Sequence, residues 1–219
     1  RKGLPRQIDK GGHLEAMPYV DVPALMTKLA AAAPTTGRDA LRFTIYNAVR
    51  SNETRFAVWT EFDLDRGVWT IPGERMKAGD THVVPLSPSA VTLLRKRWRE
   101  RSSDTGLVFS ADGEKPISDM TMTKLLRDDG INGVTVHGFR SAFTDWAAEK
   151  TSFAKEVTDK ALAHKLPNRV EAAYRRTDFF EKRRDLMKLW AEYLDKEGKQ
   201  IRKGDNATAS DLNPLRAAA

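Results

Sequence analysis

The sequence predicts an α+β domain that is mainly helical and contains one small antiparallel β-sheet. Apolar residues recur at helical spacing through most of the chain, whereas residues 59–86 hold short apolar runs separated by turn signals with Gly and Pro. The 219 residues are enough to bury a substantial core in one large domain or two small ones. No run approaches the roughly 18 apolar residues that a membrane-spanning helix needs.

Two helices are predicted before the sheet. Asp21 is a candidate N-cap for a helix over residues 21–32. Residues 35–39 combine a glycine with polar side chains and indicate a break. The apolar residues of 40–49 then recur at helical spacing, which predicts a buried helix that ends near Arg50.

The sheet is predicted from two strands and the turns around them. Residues 65–67 are a turn signal, after which Val68–Ile71 is a candidate strand that ends at a Pro-Gly pair. His82–Pro85 is the candidate returning strand, with Lys77 at the hairpin between the two. With the apolar residues of 59–64, this predicts two or three antiparallel strands.

Helices are predicted again after the sheet. Ser87 or Ser89 is a candidate cap for a helix that runs to about Glu100, and Ser118 for the next one. The remaining apolar patterns predict helices over residues 118–128, 136–149, 153–162, 169–175 and 179–195. The polar, small-residue composition from Glu197 onward predicts a disordered tail.

The charge of the chain favours a polyanionic partner. Its net charge is +7 and its pI is about 9.6. Nucleic acid is the leading candidate for this partner. An anionic membrane surface is the weaker candidate, because no long basic amphipathic helix with an aromatic face stands out. The absence of cysteine excludes thiol catalysis, thiolate metal sites and disulfides. The sequence has no P-loop and no carboxylate cluster suited to two metal ions, so we expect neither cofactor nor metal.

Three groups of side chains are candidates for chemistry on phosphate. Arg50 and Glu53 share one side of a helical turn, where the carboxylate can orient the guanidinium; a solvated surface ion pair is the alternative. His137 and Arg140 fall in the first turn of a predicted helix, where free N–H groups favour an anion. Lys77 lies at a hairpin, although most such lysines only keep an edge strand soluble.

The stretch 162–176 adds a histidine and a tyrosine to these candidates. It contains His164 and Tyr174, with Arg175 and Arg176 directly after the tyrosine. Nearby positive charge lowers the phenol pKa from its free value of about 10, which makes a tyrosine a candidate nucleophile toward phosphate. A tyrosine on an Ala-rich helix can equally belong to the core.

Taken in order, these residues resemble the tyrosine recombinase family, the phage-type integrases, over most of residues 19–195. Five strings resemble integrases of prophages and genomic islands: Arg50-Ser51, Arg75-Met76-Lys77-Ala78-Gly79, Val136-His137-Gly138-Phe139-Arg140, Leu162-Ala163-His164 and Glu171-Ala172-Ala173-Tyr174-Arg175-Arg176. Two positions depart from the family pattern. Asn52 stands where such integrases more usually have glycine, and Ala163 stands where many distant recombinases have glycine.

The resemblance implies a catalytic domain of the tyrosine recombinase and type IB topoisomerase fold. It implies cleavage of DNA through a 3′-phosphotyrosyl intermediate and religation, without metal or ATP, for integration or excision of a mobile element such as a prophage. The implied catalytic residues are Arg50, Lys77, His137, Arg140, His164 and the nucleophile Tyr174, with Glu53 in support. Two alternatives stay open: a topoisomerase-like enzyme that nicks and reseals one strand, and a non-catalytic DNA-binding relative.

The resemblance also implies partners and a division of the chain. We expect the partner to be double-stranded attachment-site DNA, bound by a homotetramer together with accessory DNA-bending proteins. We expect the protein to act in the bacterial cytoplasm and the isolated domain to be monomeric. Residues 1–18 are expected to be a basic linker from a preceding DNA-binding region, 19–196 the catalytic domain and 197–219 the tail. Five basic residues are expected to contact backbone phosphates: Arg95, Arg97, Arg99, Arg175 and Arg176. The alternative is that they only form a solvated basic face.

Overall fold

A computed structural model describes residues 16–164 and 178–203, with side chains of the last helix up to Asp195. Its helices are α1 (Val22–Ala31), α2 (Thr36–Asn47), α3 (Ser51–Arg55), α4 (Pro88–Arg99), α5 (Thr121–Asp128), α6 (Gly138–Lys150), α7 (Lys155–Ala161) and α8 (Phe180–Lys203). Its strands are β1 (Phe62–Asp63), β2 (Val68–Ile71) and β3 (His82–Pro85). The described chain is therefore mainly helical with one small sheet, as the sequence predicts.

The sheet follows the prediction closely. Its three strands are antiparallel in the order β1-β2-β3, and β2 and β3 have the predicted bounds. Val68 pairs with Pro85 and Ile71 with His82. Gly67, in the turn before β2, has a positive φ of 62°, which glycine adopts without strain.

The helix starts differ from the predictions where a cap was misassigned. Residues 36–39 are not a break, because the Thr35 hydroxyl accepts a hydrogen bond from the Arg38 amide and begins α2. Asp21 holds the N-cap position of α1, but its side chain makes no capping bond. Ser118 does not cap α5; it forms a turn through its carbonyl to the Thr121 amide, and the helix starts three residues later than predicted. Ser87 caps α4 as one of the two predicted alternatives.

Two aromatic groups fill the core on either side of α2. Beside the sheet, Phe43 packs against Trp69 and Phe109 with ring centroids 5.4 and 5.2 Å apart. On the other side, Trp146 and Trp190 lie 5.0 Å apart. The Trp190 indole also donates to the Ile45 carbonyl at 2.9 Å, which ties α8 to the end of α2.

Helix α8 packs on its own chain over its described side chains. It lies chiefly against α1 and also contacts α2, α4, α7 and β3. The Asp195 carboxylate accepts hydrogen bonds from Tyr46 at 2.7 Å and Ser89 at 2.5 Å. The helix continues to Lys203 instead of ending at residue 195, so it extends into the residues that were predicted to begin the tail. No helix among the described residues is long and apolar enough to cross a membrane, and the helix predicted over 169–175 lies outside the described residues.

Candidate active site

Arg50 and Glu53 form the interaction that their spacing predicts. Arg50 is the N-cap of α3, two residues after Ala48, where α2 ends. One Glu53 oxygen accepts from the Arg50 amide at 2.8 Å, and the other accepts from the Arg50 guanidinium at 2.7 Å. The Glu53 side chain is only 4% exposed, whereas that of Arg50 is 26% exposed. The buried carboxylate thus fixes a guanidinium that still reaches the surface.

Arg140 is buried in the first turn of α6 between the ends of two other helices. Its guanidinium donates to the Ala48 carbonyl at 2.6 Å, at the end of α2, and to the Leu162 carbonyl at 2.7 Å, at the end of α7. The negative ends of two helix dipoles therefore stabilise a cation in the first turn of α6, where the dipole of α6 itself disfavours positive charge. Burial lowers the pKa of Arg140 to about 10, and repulsion from Arg50 adds to this. Arg140 stays charged at neutral pH.

Helix α7 ends in a left-handed turn at Ala163, a conformation that favours glycine. The His164 amide donates to the Asp159 carbonyl at 2.9 Å and the Ala163 amide to the Lys160 carbonyl at 3.2 Å, which is the Schellman pattern. Such an ending needs a left-handed residue, and Ala163 has a φ of +49°. The alanine accepts backbone strain that glycine avoids. This turn directs the Leu162 carbonyl toward Arg140 and places His164 next to it.

The other position that departs from the family pattern has a simpler role. Asn52 lies in α3, and its side-chain oxygen accepts a hydrogen bond from Arg55 at 2.9 Å.

His164 is held by Asp159, an acid of the preceding helix α7. Its Nδ1 lies 3.3 Å from an Asp159 oxygen, and the same carboxylate accepts from Lys155 at 2.6 Å. Burial lowers the pKa of His164, the Asp159 contact opposes this, and the charges of Arg140 and Arg50 lower it further. A neutral ring that donates through Nδ1 to Asp159 leaves Nε2 unprotonated, so Nε2 becomes a donor only when the ring takes up a second proton.

His137 occupies the N-cap of α6, one turn before Arg140, and is exposed. Although much of its surface is open, partial desolvation of the ring lowers the pKa of His137, the charges of Arg140, Arg50 and His164 lower it further, and Glu53 opposes them. The same cations therefore act on both imidazoles. The structure brings Arg50, His137, Arg140 and His164 together, and we call these four residues the cationic cluster.

Lys77 lies on the exposed turn between β2 and β3, as predicted. No described contact joins its ammonium group to the cationic cluster. Tyr174, Arg175 and Arg176 lie outside the described residues, so the position of the predicted nucleophile is not described. Among the described residues, no group of three or more His, Cys, Asp or Glu is arranged to hold a metal ion.

The three arginines predicted on α4 have different surroundings. Arg97 faces inward: it donates to the Val108 and Ser110 carbonyls, both at 3.1 Å, and its side chain is 13% exposed. Arg95 and Arg99 are exposed, and Arg95 pairs with Asp65 at 3.1 Å. Of these three arginines, only Arg97 is described as bonding to buried backbone carbonyls within the fold.

Sequence reasoning gave no site role to His82, the first residue of β3. Burial lowers its pKa to about 4, and the charge of Arg183 adds to the effect; Glu53 and a hydrogen bond with the Ala161 backbone oppose it. A neutral His82 thus links β3 to the end of α7, next to the Leu162 carbonyl that holds Arg140. A histidine at the start of an alternating strand carries no sequence signal that separates this role from ordinary strand packing.

Comparison with known proteins gives a consistent result. Residues 16–181 match the sequence model of the phage integrase family. The integrase of Enterobacteria phage P4 is 34% identical over 205 residues, which are 85% of this chain and 46% of the phage protein. Prophage integrase IntA of Escherichia coli is 33% identical over 79% of this chain and 42% of its own length. The integrase of Shigella phage Sf6 is 28% identical over 83% of this chain and 48% of its own length. The chain therefore spans about half the length of these relatives.

Proposed function

The chain belongs to the phage integrase family, and we propose that it is the catalytic part of a tyrosine recombinase that carries out site-specific DNA recombination. The observation that carries this proposal is the placement of Arg140, whose guanidinium joins the end of α2, next to Arg50, to the end of α7, next to His164. One buried side chain thereby assembles groups from three distant parts of the sequence.

The electrostatics of the cationic cluster suit a phosphodiester. Two guanidiniums lower the pKa of both neighbouring imidazoles, so the free site disfavours additional positive charge. A phosphate anion relieves this repulsion and accepts hydrogen bonds from Arg50 and Arg140, which stay charged and can contact two oxygens at once. Each donor to the non-bridging oxygens contributes about 2.7–4 kcal/mol to stabilising the five-coordinate transition state.

Proton transfer to His164 accompanies this binding. Because its Nδ1 faces Asp159, the ring donates to phosphate through Nε2 only as an imidazolium. An incoming anion raises the pKa that Arg140 and Arg50 lower, and so favours the protonated form. Asp159 then orients the ring and stabilises its charge, which makes it a supporting residue that no pattern in the sequence indicates.

The proposed reaction exchanges one phosphoester bond for another. The Tyr174 oxygen attacks phosphorus, its proton passing to His137, while the bond from phosphorus to the 5′ oxygen breaks and Lys77 gives that oxygen a proton. The products are a 3′-phosphotyrosyl link and a free 5′-hydroxyl. The 5′-hydroxyl of a second strand then attacks the phosphotyrosine and releases the tyrosine. The ester bond is conserved at each step, so no nucleotide is consumed.

The proposal extends to the partners of the whole protein. Its substrate is double-stranded attachment-site DNA, bound by a homotetramer with accessory DNA-bending proteins in the bacterial cytoplasm. Arg95 and Arg99 are exposed and available for backbone phosphates, whereas Arg97 already bonds to two carbonyls. We assign the same phosphate contacts to Arg175 and Arg176. Affinity for DNA then falls with salt at a slope of about −0.9 per phosphate neutralised.

A suicide-substrate assay tests the proposal. The protein encoded by the complete gene is incubated with nicked duplexes that carry the two junction sequences of the DNA element bearing that gene. We expect a covalent protein–DNA adduct, and Arg50→Ala lowers its rate by about 10²–10³-fold. The matched control is Arg55→Ala on the same helix, whose guanidinium contacts Asn52 and the Ile117 carbonyl, away from the cationic cluster.

The outcomes also separate the alternative functions. An adduct with joining of strands from two duplexes supports recombination, whereas an adduct with only relaxation of supercoiled plasmid supports a topoisomerase-like enzyme. Binding of the junction DNA without any adduct supports a non-catalytic relative. An Arg50→Ala rate equal to that of Arg55→Ala contradicts the proposed phosphate site.

A further inference from the structure

Arg75 is a half-buried arginine two residues before Lys77, at the root of the β2–β3 hairpin. Its guanidinium donates to the Glu53 carbonyl at 2.5 Å and forms an ion pair with Glu61. The exposed fractions of the two side chains are 21% for Arg75 and 8% for Glu61. An ion pair so shielded is less screened than a surface pair, and the two terminal nitrogens of Arg75 bond to different groups, which fixes the orientation of the guanidinium.

Glu61 is itself anchored in the core. Its second oxygen accepts a hydrogen bond from the Trp69 indole at 2.9 Å. Trp69 is fully buried in β2 and stacks on Phe62 with ring centroids 5.2 Å apart. The carboxylate that holds Arg75 therefore cannot shift without disturbing the packed face of the sheet.

The backbone makes Lys77 the first residue beyond this anchor. The Met76 amide donates to the Gly73 carbonyl at 2.9 Å, and the Met76 side chain is buried at 6% exposure. The Gly79 amide then donates to the Met76 carbonyl at 3.0 Å, which closes a tight turn around Lys77. Gly73 lies so close to the Gly79 carbonyl that no side chain fits there. Arg75 and Met76 therefore fix the position of the Lys77 backbone, from which its side chain extends.

Glu53 connects this anchor to the cationic cluster. Its side chain holds the Arg50 guanidinium at 2.7 Å, and its carbonyl holds Arg75 at 2.5 Å. A single residue of α3 therefore bonds both to a phosphate-binding arginine and to the root of the hairpin that carries the general acid.

We propose that Arg75, held by Glu61, is a positioning residue that sets the distance of Lys77 from the phosphate bound at Arg50. This inference rests on the proposed function, in which Lys77 protonates the leaving 5′ oxygen. The described contacts of the Arg75 guanidinium are with Glu61 and Glu53, so we assign it a positioning role rather than a contact with the phosphate. A displacement of about 1 Å in such a group costs on the order of 10²-fold in rate.

Chemical rescue distinguishes this role from a purely structural one. Cleavage rates are measured on suicide DNA with a normal 5′ oxygen and on the same DNA with a bridging 5′ sulfur, whose thiolate leaves without a general acid. We expect the cleavage rates of Arg75→Ala and Lys77→Ala each to fall about 10²-fold below wild type on the oxygen substrate. On the sulfur substrate, both rates are expected to lie within a few-fold of the wild-type rate. Arg55→Ala, which removes a different α3 contact, keeps the wild-type ratio of the two rates.

A double-mutant cycle gives a second readout. If Arg75 acts through Lys77, the double variant is no slower on oxygen than Lys77→Ala alone, because the positioned group is already absent. Arg75→Lys and Glu61→Gln replace Arg75→Ala in the rescue experiment if Arg75→Ala does not fold. Each keeps part of the hydrogen bonding, and each shows the same rescue by sulfur.

The outcomes separate this inference from the proposed function. If wild type forms no adduct, or if sulfur does not rescue Lys77→Ala, the proposed function or the general-acid role fails. If sulfur rescues Lys77→Ala but not the variants of Arg75 and Glu61, or if the effects of Arg75→Ala and Lys77→Ala multiply, the positioning role is overturned while the proposed function stands.

Discussion

Replacing Ala163 by glycine is predicted to stabilise the fold. The residue has a φ of +49° at the end of α7, where a left-handed conformation costs a residue with a Cβ about 1–2 kcal/mol. Glycine removes that strain but gains about 0.4–1 kcal/mol of conformational freedom in the unfolded chain. Because Ala163 is only partly buried, little methyl packing is lost. The net expectation is about 0.5 kcal/mol of added stability, or about 1–2 °C in Tm for a domain of this size.

Urea unfolding followed by circular dichroism measures this change, with two matched alanines as controls. Ala48 has the same φ of +49° but is 1% exposed, so Ala48→Gly also loses a buried methyl worth about 0.8 kcal/mol and gains no stability. Ala161 is the last residue of α7 and is 6% exposed, so Ala161→Gly loses helix propensity and a buried methyl, at a cost of about 1 kcal/mol. A loss of stability in Ala163→Gly comparable to that of Ala161→Gly refutes the argument from backbone strain.

Two further predictions concern stability. Trp190→Ala is expected to destabilise the fold by about 3–5 kcal/mol in urea unfolding, because the indole is fully buried between α8 and the core; a change below about 1 kcal/mol contradicts packing of α8 on its own chain. The pKa of His82 is about 4 in the folded chain and about 6.5 in the unfolded chain, so between these pH values only the unfolded chain is protonated at His82. The free energy of unfolding is therefore expected to fall by about 2–3 kcal/mol as the pH drops from 6.5 to 4. His82→Gln is expected to flatten this part of the pH profile of stability, and an unchanged slope contradicts the assignment.

The sheet and the order of the helices could be predicted because their signals are local. Turn residues bound β2 and β3 on both sides, and both strands were predicted with their observed ends. Helix starts were less predictable because several polar residues compete for each cap. Thr35 caps α2 inside a stretch that looks like a break, and Ser118 forms a turn where a cap was predicted.

The candidate site could be predicted only in part. The Arg50–Glu53 pair follows from helical spacing and was confirmed. The partners of Arg140 could not be predicted, because the two carbonyls belong to residues 92 and 22 positions away in sequence and depend on how α2 and α7 end. Arg75 was noticed only as part of a string, since nothing local reveals that its guanidinium reaches back to Glu53. Long-range contacts of this kind appear only once the helices are packed.

We propose that Tyr174 is the nucleophile that acts on a phosphate held by the cationic cluster. Digestion of the covalent protein–DNA adduct with protease, followed by mass spectrometry of the modified peptide, identifies the attached residue. We expect a nucleotide on Tyr174, and we expect Tyr174→Phe to bind the same DNA without forming an adduct. A nucleotide attached to another residue, or an adduct of undiminished yield in Tyr174→Phe, contradicts this proposal.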